Sequence, residues 1–193
     1  FETKIKSFLK GVGGVEVYTP SLVSISGAET KNGALKLKNP LGTESEYLRN
    51  IFSPSLFNAA EVNRGEKESF HLFEMANVYL PSNNDLPKER MMLAGIFVNF
   101  DYRHSKGIME QLLVELDSNV KFVSGDDQLH WPDGELTIKS CKESIGILGV
   151  WQDKQAIYYE FDTEKLRLAS ASAKTFTPTP KYPPQIEDIS LVL

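Results

Sequence analysis

The sequence predicts an α+β domain in which a central antiparallel sheet is flanked by helices. Three observations carry this expectation. Apolar residues recur at helical spacing at the start of the chain and over 105–116, whereas 70–80, 145–151 and 156–161 are rich in the aromatic and β-branched types that suit strands. The two longest strand-like runs, Phe70 to Leu80 and Met91 to Phe100, are separated by a polar loop, Asn83-Asn84-Asp85, which suits an antiparallel pair in the middle of a sheet. The 193 residues, 41% hydrophobic and 24% charged, suffice for one sizeable core, or one core plus a fragment of another.

The elements follow in order. Phe1, Ile5, Phe8 and Leu9 share a helical face, and Gly11, Gly13 and Gly14 end that helix. Val15 to Tyr18 reads as a strand, and Thr19-Pro20 as a cap and first-turn pair leading into Ser21-Leu22-Val23. Asn32-Gly33 is a hairpin signal, with Leu35 and Leu37 alternating on the returning strand. Thr43 and Glu46 have the spacing of a capping box, which predicts a short helix. Ser53-Pro54 predicts the start of another, because serine accepts a bond from the first turn and proline has no amide to satisfy there. Leu56, Phe57, Ala60 and Val62 follow at helical spacing, and Gly65 offers a left-handed stop. Ser105 is the expected cap of a helix burying Ile108, Met109, Leu112, Leu113 and Leu116. Val120 to Val123 is a short strand, Pro132-Asp133-Gly134 a turn, and Leu136 and Ile138 alternate after it. The runs 145–151 and 156–161 read as neighbouring antiparallel strands, and Asp162 as the cap of a short helix carrying Leu166 and Leu168.

Composition narrows the function. The net charge is -5 and no long basic run occurs, so the chain lacks the electrostatic footprint of a nonspecific nucleic-acid binder. One cysteine, Cys141, excludes an internal disulfide and fits a reducing, cytoplasmic setting. With no neighbouring histidine or basic cluster, it is expected to be a small packed residue. No apolar run reaches the roughly 18 residues of a membrane span. No signal peptide is visible, and because the chain opens inside a helix its natural start is expected upstream. His71, His104 and His130 lack metal-ligand spacing and read as surface or internally satisfied histidines, so no metal site is assigned. Glu66 and Glu68 flank Lys67 in a turn and read as a solvated face. Gly11-Val12-Gly13-Gly14 follows a helix rather than a strand and is no dinucleotide loop.

Several short pieces together resemble a known family. Asn39-Pro40-Leu41, Tyr47-Leu48-Arg49, Pro54-Ser55-Leu56, Asn63-Arg64 and Phe73-Glu74-Met75-Ala76-Asn77-Val78-Tyr79 occur in order and at the spacing found in the catalytic-like domain of bacterial phenylalanyl-tRNA synthetase β chains. Lys106-Gly107-Ile108 matches the start of a helix in that family. Gly14-Val15-Glu16-Val17-Tyr18-Thr19-Pro20 looks like motif 1 of class II aminoacyl-tRNA synthetases, a helix and strand that build the subunit interface. The resemblance implies a class II fold over 1–168, a linker over 169–181, and over 182–193 the truncated first strand of a ferredoxin-like anticodon-binding domain, with Glu187 where the family more often has arginine. A composition of Ser, Ala, Thr, Lys and Pro from about Ala169 independently reads as a linker.

The catalytic devices of that class are charge on phosphate and backbone room beside a nucleotide. In active relatives the motif 2 strand continues into an arginine; here Val78-Tyr79 is followed by Leu80-Pro81. The motif 3 equivalent is Tyr159-Glu160-Phe161-Asp162-Thr163-Glu164-Lys165-Leu166, with Glu160 and Asp162 in place of glycines and Lys165 where arginine is expected. Two carboxylates repel a triphosphate, and lysine does not replace a stacking guanidinium. Arg49 and Arg64 match family positions, where a structural ion pair or carbonyl contact is expected instead of phosphate binding.

The resemblance therefore implies a noncatalytic domain with no catalytic or cofactor-binding residue of its own, ATP and Mg2+ being used by the whole enzyme through the α chain. The implied partner is that α chain, in a tetramer of two α and two β chains, with tRNA reached only through the complex or by local contact and no membrane involved. The expected interface is Ile5, Phe8, Leu9, Val17 and Tyr18, although an apolar stripe packs on its own sheet more often than on a partner, and both can hold here. Exposed interface aromatics could also drive a homodimer of the domain alone. The alternative is a domain that binds a small molecule, an amino acid or an adenylate-like compound, on the open face of its sheet.

Overall fold

The computed structural model describes residues 1–28, 33–83, 86–124, 135–151 and 155–170, together with Glu187. The Pro132-Asp133-Gly134 turn and nearly all of the expected linker and C-terminal strand lie outside them, as do Asn32, Asn84 and Asp85.

Helix α1 (Glu2–Gly11) buries Ile5 and Leu9. Gly13, at φ +86, turns the chain into β1 (Gly14–Glu16). Gly14 lies so close to its surroundings that a Cβ there would stand 2.8 Å from both His71 Nδ1 and the Leu9 carbonyl. The β1 strand pairs in parallel with β4 (Phe70–Leu80), and the Val17 amide extends the contact by donating to the Phe73 carbonyl at 2.8 Å. The helix expected after Thr19-Pro20 does not form. Thr19 gives both its amide and its hydroxyl to the buried Glu74 carboxylate, at 3.1 and 2.6 Å, because that charge needs donors. The chain runs instead into β2 (Leu22–Val23), which pairs antiparallel with β3 (Tyr47–Leu48).

The capping box is also absent. Thr43–Ser45 is one 3-10 turn without a side-chain cap bond, and Glu46 pairs with Lys36 at 3.3 Å while its carbonyl accepts from the Leu37 amide. Pairing of 35–37 with the segment around β3 has outcompeted a helix of marginal length. Helix α2 (Ser53–Asn63) starts with Ser53 and Pro54 already inside its first turn, and buries Leu56, Phe57 and Ala60. Val62 was expected beside them but is 75% exposed, since two residues past Ala60 it lies on the opposite side of the helix. Gly65 takes the left-handed conformation at φ +96.

Strands β4 and β5 (Lys88–Val98) form an unbroken antiparallel pair from Phe70↔Val98 to Leu80↔Lys88. Helix α3 (Tyr102–Glu115) is capped by Asp101, not Ser105: the carboxylate accepts from the Arg103 and His104 amides at 2.9 and 3.2 Å. Ser105 lies buried one turn later, with its hydroxyl donating to the Asp101 carbonyl. Met109, Leu112, Leu113 and Leu116 are buried as their spacing predicts, whereas Ile108, expected with them, is half-buried at the margin of that core. Strands β6 (Lys121–Ser124), β7 (Glu135–Ser140), β8 (Glu143–Trp151) and β9 (Ala156–Asp162) complete a seven-stranded sheet of order β1-β4-β5-β9-β8-β7-β6. Asp162 caps α4 (Thr163–Ala169), accepting from the Glu164 and Lys165 amides, and Leu166 is buried behind it. Cys141 departs from expectation. It occupies the two-residue turn between β7 and β8 at φ +55 and is exposed, because a tight turn at the end of a hairpin carries it away from the core.

The sheet has two unlike faces. One carries Phe73, Leu93, Phe97, Leu148, Tyr159 and Phe161 in a core shared with α1, α3 and α4. On the other, α2 lays Leu56, Phe57 and Ala60 against Leu72, Ala94, Ile96 and Tyr158. Beyond the reach of α2, the same face of β7 and β6 bears polar and exposed residues.

Candidate functional site

Two regions matter for function: the face under α2, where the motif 2 and motif 3 equivalents meet, and the sheet edge formed by β1. On the face, the pairing register sets Glu74, Ala94 and Glu160 side by side on β4, β5 and β9. Strand alternation sends all three to the α2 side. The Glu74 carboxylate lies 3.0 Å from the Arg49 guanidinium, and both side chains are 2% exposed. Arg49 also donates to the Asn77 carbonyl at 3.0 Å and to the Thr19 hydroxyl at 2.8 Å, and its guanidinium covers the Phe52 ring at 4.1 Å. Its backbone is equally committed, to Ser21 and Tyr79. Arg49 therefore ties β3 and the loop at Thr19 to β4, the ion pair and carbonyl contact expected for it, with its Nε and Nη1 donors spent inside the fold. Arg64 likewise forms an ion pair, with Glu61 at 2.9 Å.

On β9, Tyr158 donates its hydroxyl to Glu160. Burial raises the Glu160 carboxyl above the ordinary range, against the Tyr158 hydrogen bond and the more distant Arg90. The Tyr158 phenol is pushed up too, by burial first and by the nearby carboxylate second. Arg90 itself lies 3.6 Å from Asp162. The remaining space is taken by aromatics: Phe57 stacks on Tyr158 at 6.0 Å and meets Trp151 edge-on at 4.7 Å. Ala94 and Tyr158 are consequently 0% exposed. Lys165, at the motif 3 arginine position, points to β8, where it pairs with Glu143 at 2.9 Å and donates to the Ser144 carbonyl. This arrangement supplies carboxylates and packed rings, the reverse of a phosphate cradle.

The β1 edge is different. Among the described residues its outer side has no neighbouring strand, and Val15 and Tyr18 are 50% and 79% exposed, with Phe1 and Val12 also exposed. Of the five residues expected at an interface, Ile5 and Leu9 are fully buried in the chain's own core. Phe8 packs partly against that core and Val17 partly against the α2-side cluster, which leaves Tyr18 as the side chain most free to meet a partner. The edge is held in place by Glu16, which takes Lys6 and Lys10 of α1 at 2.7 Å each. Hydrogen bonds from Lys10 and Lys6 hold its carboxyl down at about 2.

Clefts lie elsewhere. One of about 690 Å³, at the strand ends, is lined by Glu68, Asn99, Phe100, Tyr102, Trp151 and Gln155. Another of about 490 Å³ lies between the start of α2 and β2. Among the described residues no group of three His, Cys, Asp or Glu could hold a metal ion, and no helix is long and apolar enough to cross a membrane.

Sequence reasoning missed one buried polar pair. His71 Nε2 lies 2.9 Å from the Tyr159 hydroxyl, its ring stacks on Phe97 at 4.0 Å, and Nδ1 has no hydrogen-bond partner among the described residues. The alternation of the 70–80 run puts His71 on the face of Phe73, the one available signal, but its partner is 88 residues away.

The model of the phenylalanyl-tRNA synthetase β-chain CLM domain matches residues 1–164. Among curated proteins, the phenylalanine–tRNA ligase β subunit of Carboxydothermus hydrogenoformans is 28% identical over all of this chain and 28% of its own length. That of Clostridium tetani is 31% identical over 82% of this chain and 22% of its own. The chain thus spans less than a third of the relatives it matches. In structure it is similar to a pyrrolysyl-tRNA synthetase from Desulfitobacterium hafniense, with a TM-score of 0.67 and 15% identity over 89% of this chain and 69% of that one. This likeness bears out the class II synthetase-like α+β fold.

Proposed function

Because the chain belongs to the phenylalanyl-tRNA synthetase β-chain family, through its CLM domain, we propose that it is a noncatalytic structural and docking unit of a cytoplasmic phenylalanine–tRNA ligase, serving aminoacylation by holding the catalytic α chain. The observation that carries the reading is the sheet face under α2. Where a synthetase of this fold needs room and cations, this chain packs Phe57 on Tyr158, buries Ala94, and spends Arg49 on Glu74 and Asn77. ATP and Mg2+ would be handled by the α chain, and tRNA met in the assembled complex. The isolated chain is accordingly expected to give no phenylalanine-dependent ATP–pyrophosphate exchange; exchange above a buffer control would sink the noncatalytic reading. A small-ligand role would have to use the cleft beside Trp151 or the one between α2 and β2, not this filled face.

Docking is assigned to the β1 edge. An open edge with exposed Val15 and Tyr18 can add a strand or an apolar surface from another chain, and a projecting aromatic is the usual hot spot. Phe8 is a poor probe because truncating it would also disturb the core. Tyr18→Ala should weaken binding of the α chain by about 2 kcal/mol, roughly 30-fold, without lowering domain stability. Light scattering after size exclusion, on the chain alone and mixed with the α chain, checks both claims. Two unmixed peaks for the unmodified chain would refute docking by this domain. A mixed complex that Tyr18→Ala leaves unchanged would place the contact elsewhere.

A further inference from the structure

We propose that the open face of β6 and β7, at the far end of the sheet from β1, is a contact surface for the phosphate backbone of tRNA, centred on Lys121 and Lys139. The two lysines are directly opposed in the antiparallel β6–β7 register. Their side chains therefore leave the sheet on the same face, with backbones roughly 5 Å apart. That face is the one opposite Phe122 and Ile138, which turn into the core with α3 and α4. It lies beyond the part covered by α2, and it also carries Thr137 and the 41% exposed Val123. Lys142, in the turn from β7 to β8, adds a third cation at the same corner and is exposed.

Like charges set directly across a ladder repel one another, and the ordinary remedy is an acidic neighbour. Some cations of the chain have that remedy: Lys6 and Lys10 share Glu16, Lys165 takes Glu143, and Arg90 faces Asp162. Lys38, Lys88 and Arg103 form no ion pair among the described residues, but they are not set against a second cation across a ladder. Among the described residues Lys121, Lys139 and Lys142 form no ion pair, in a chain whose net charge is -5. Among the described residues this opposed pair has no acidic partner, and such a pair suits an anionic partner that supplies the missing charges. Two compact, flexible ammonium groups on neighbouring strands suit successive phosphates, which bind by charge without base recognition. Among anionic partners, tRNA is the one that the family of this chain gives reason to expect. A local patch is consistent with a composition that excludes a general nucleic-acid binder.

The proposal rests on the ligase reading, and the test keeps the two apart. In the complete α and β enzyme, Lys121→Glu with Lys139→Glu, and separately Lys139→Gln, would be compared with the unmodified enzyme. Affinity for tRNA would be measured over a range of salt, with ATP–pyrophosphate exchange and co-elution of the subunits as controls. We expect the double variant to bind tRNA about tenfold more weakly at low salt, with the slope of log affinity against log salt reduced by about two, one per lost contact. Lys139→Gln should reduce the slope by about one. Exchange and co-elution should not change, because the substitutions lie at the other end of the sheet from β1. Unchanged tRNA affinity and salt slope would overturn the proposal. So would unchanged affinity with new self-association of the variants, which would mean that Lys121 only guards an edge strand. Loss of subunit co-elution would also overturn it, by assigning the face to an acidic protein surface.

Discussion

Arg49→Ala is expected to lower the unfolding free energy of the chain by about 3–5 kcal/mol, the usual cost of removing one partner from a buried ion pair. The geometry explains why the loss is large. Glu74 would keep a buried charge with only the Thr19 hydroxyl and amide as donors, and the Asn77 carbonyl would lose its partner. The guanidinium also fills the space over Phe52, so a cavity would be added to the electrostatic loss. Arg49→Lys should recover little, because a single ammonium cannot reach Glu74, Asn77 and Thr19 in one plane. Chemical denaturation with linear extrapolation measures the difference. A loss below about 1 kcal/mol would show that the pair is hydrated and loosely held. Replacing Arg49 and Glu74 together by apolar residues should cost less than Arg49→Ala alone, since no orphaned charge remains.

The second large effect is on pH. Burial lowers the His71 imidazole from 6.5 to about 3. The folded chain therefore binds the neutral ring, while the unfolded chain takes up a proton below about pH 6.5. Stability is full above that value and is lost as pH falls from about 6.5 toward 3, at about 1.4 kcal/mol per unit, or roughly 2 kcal/mol by pH 5. Glu16 adds loss in the same direction but lower, between 4.5 and about 2. Glu160 acts oppositely: its raised carboxyl favours folding in the protonated form and weakens the fold as pH rises past 4.5. His71→Phe isolates the histidine. It should cost about 1–3 kcal/mol at pH 7, because the Tyr159 hydroxyl loses its partner, yet flatten the decline between pH 7 and 5. Urea midpoints at the two pH values give the answer, and an unchanged slope would mean that His71 is not the acid-sensitive group.

Much of the fold was legible because it rests on local periodicity. The bounds of β4, the buried face of α3 and the Asp162 cap each depend on residues within a few positions of one another. The expectations that failed were local signals overruled by distant partners. Thr19 reads as a cap until Glu74, 55 residues later, claims its hydroxyl, and Glu46 reads as part of a capping box until Lys36 and Leu37 draw it into a ladder. Asp101 took the role expected of Ser105 because it stands at the helix boundary. The candidate sites divide in the same way. The lack of catalytic charge could be read from Leu80-Pro81 and Glu160, but the stripe at Ile5 and Leu9 could not be divided between core and surface without knowing that α3 packs behind it. Lys121 and Lys139, 18 residues apart, become a pair only through the β6–β7 register.

The parallel pairing of β1 with β4 has a consequence in time. Strands β4 and β5 are joined by a short connection, 81–87, and can zip together locally, whereas β1 must wait for 17–69 to fold back before Gly14 meets His71. The longer separation is about three doublings of the shorter, which makes closure dearer by roughly 2 kcal/mol. The ladder itself contributes just three residue pairs, so the segment depends on the Val17 bond and the burial of Ile5 and Leu9. The α1–β1 segment is thus the last to settle and the first to fray, a latch on a sheet already formed. An α chain seated on that edge would bind the closed latch alone and hold it shut by mass action. The outermost strand would then be the least durable part of the free domain and among the most protected in the enzyme.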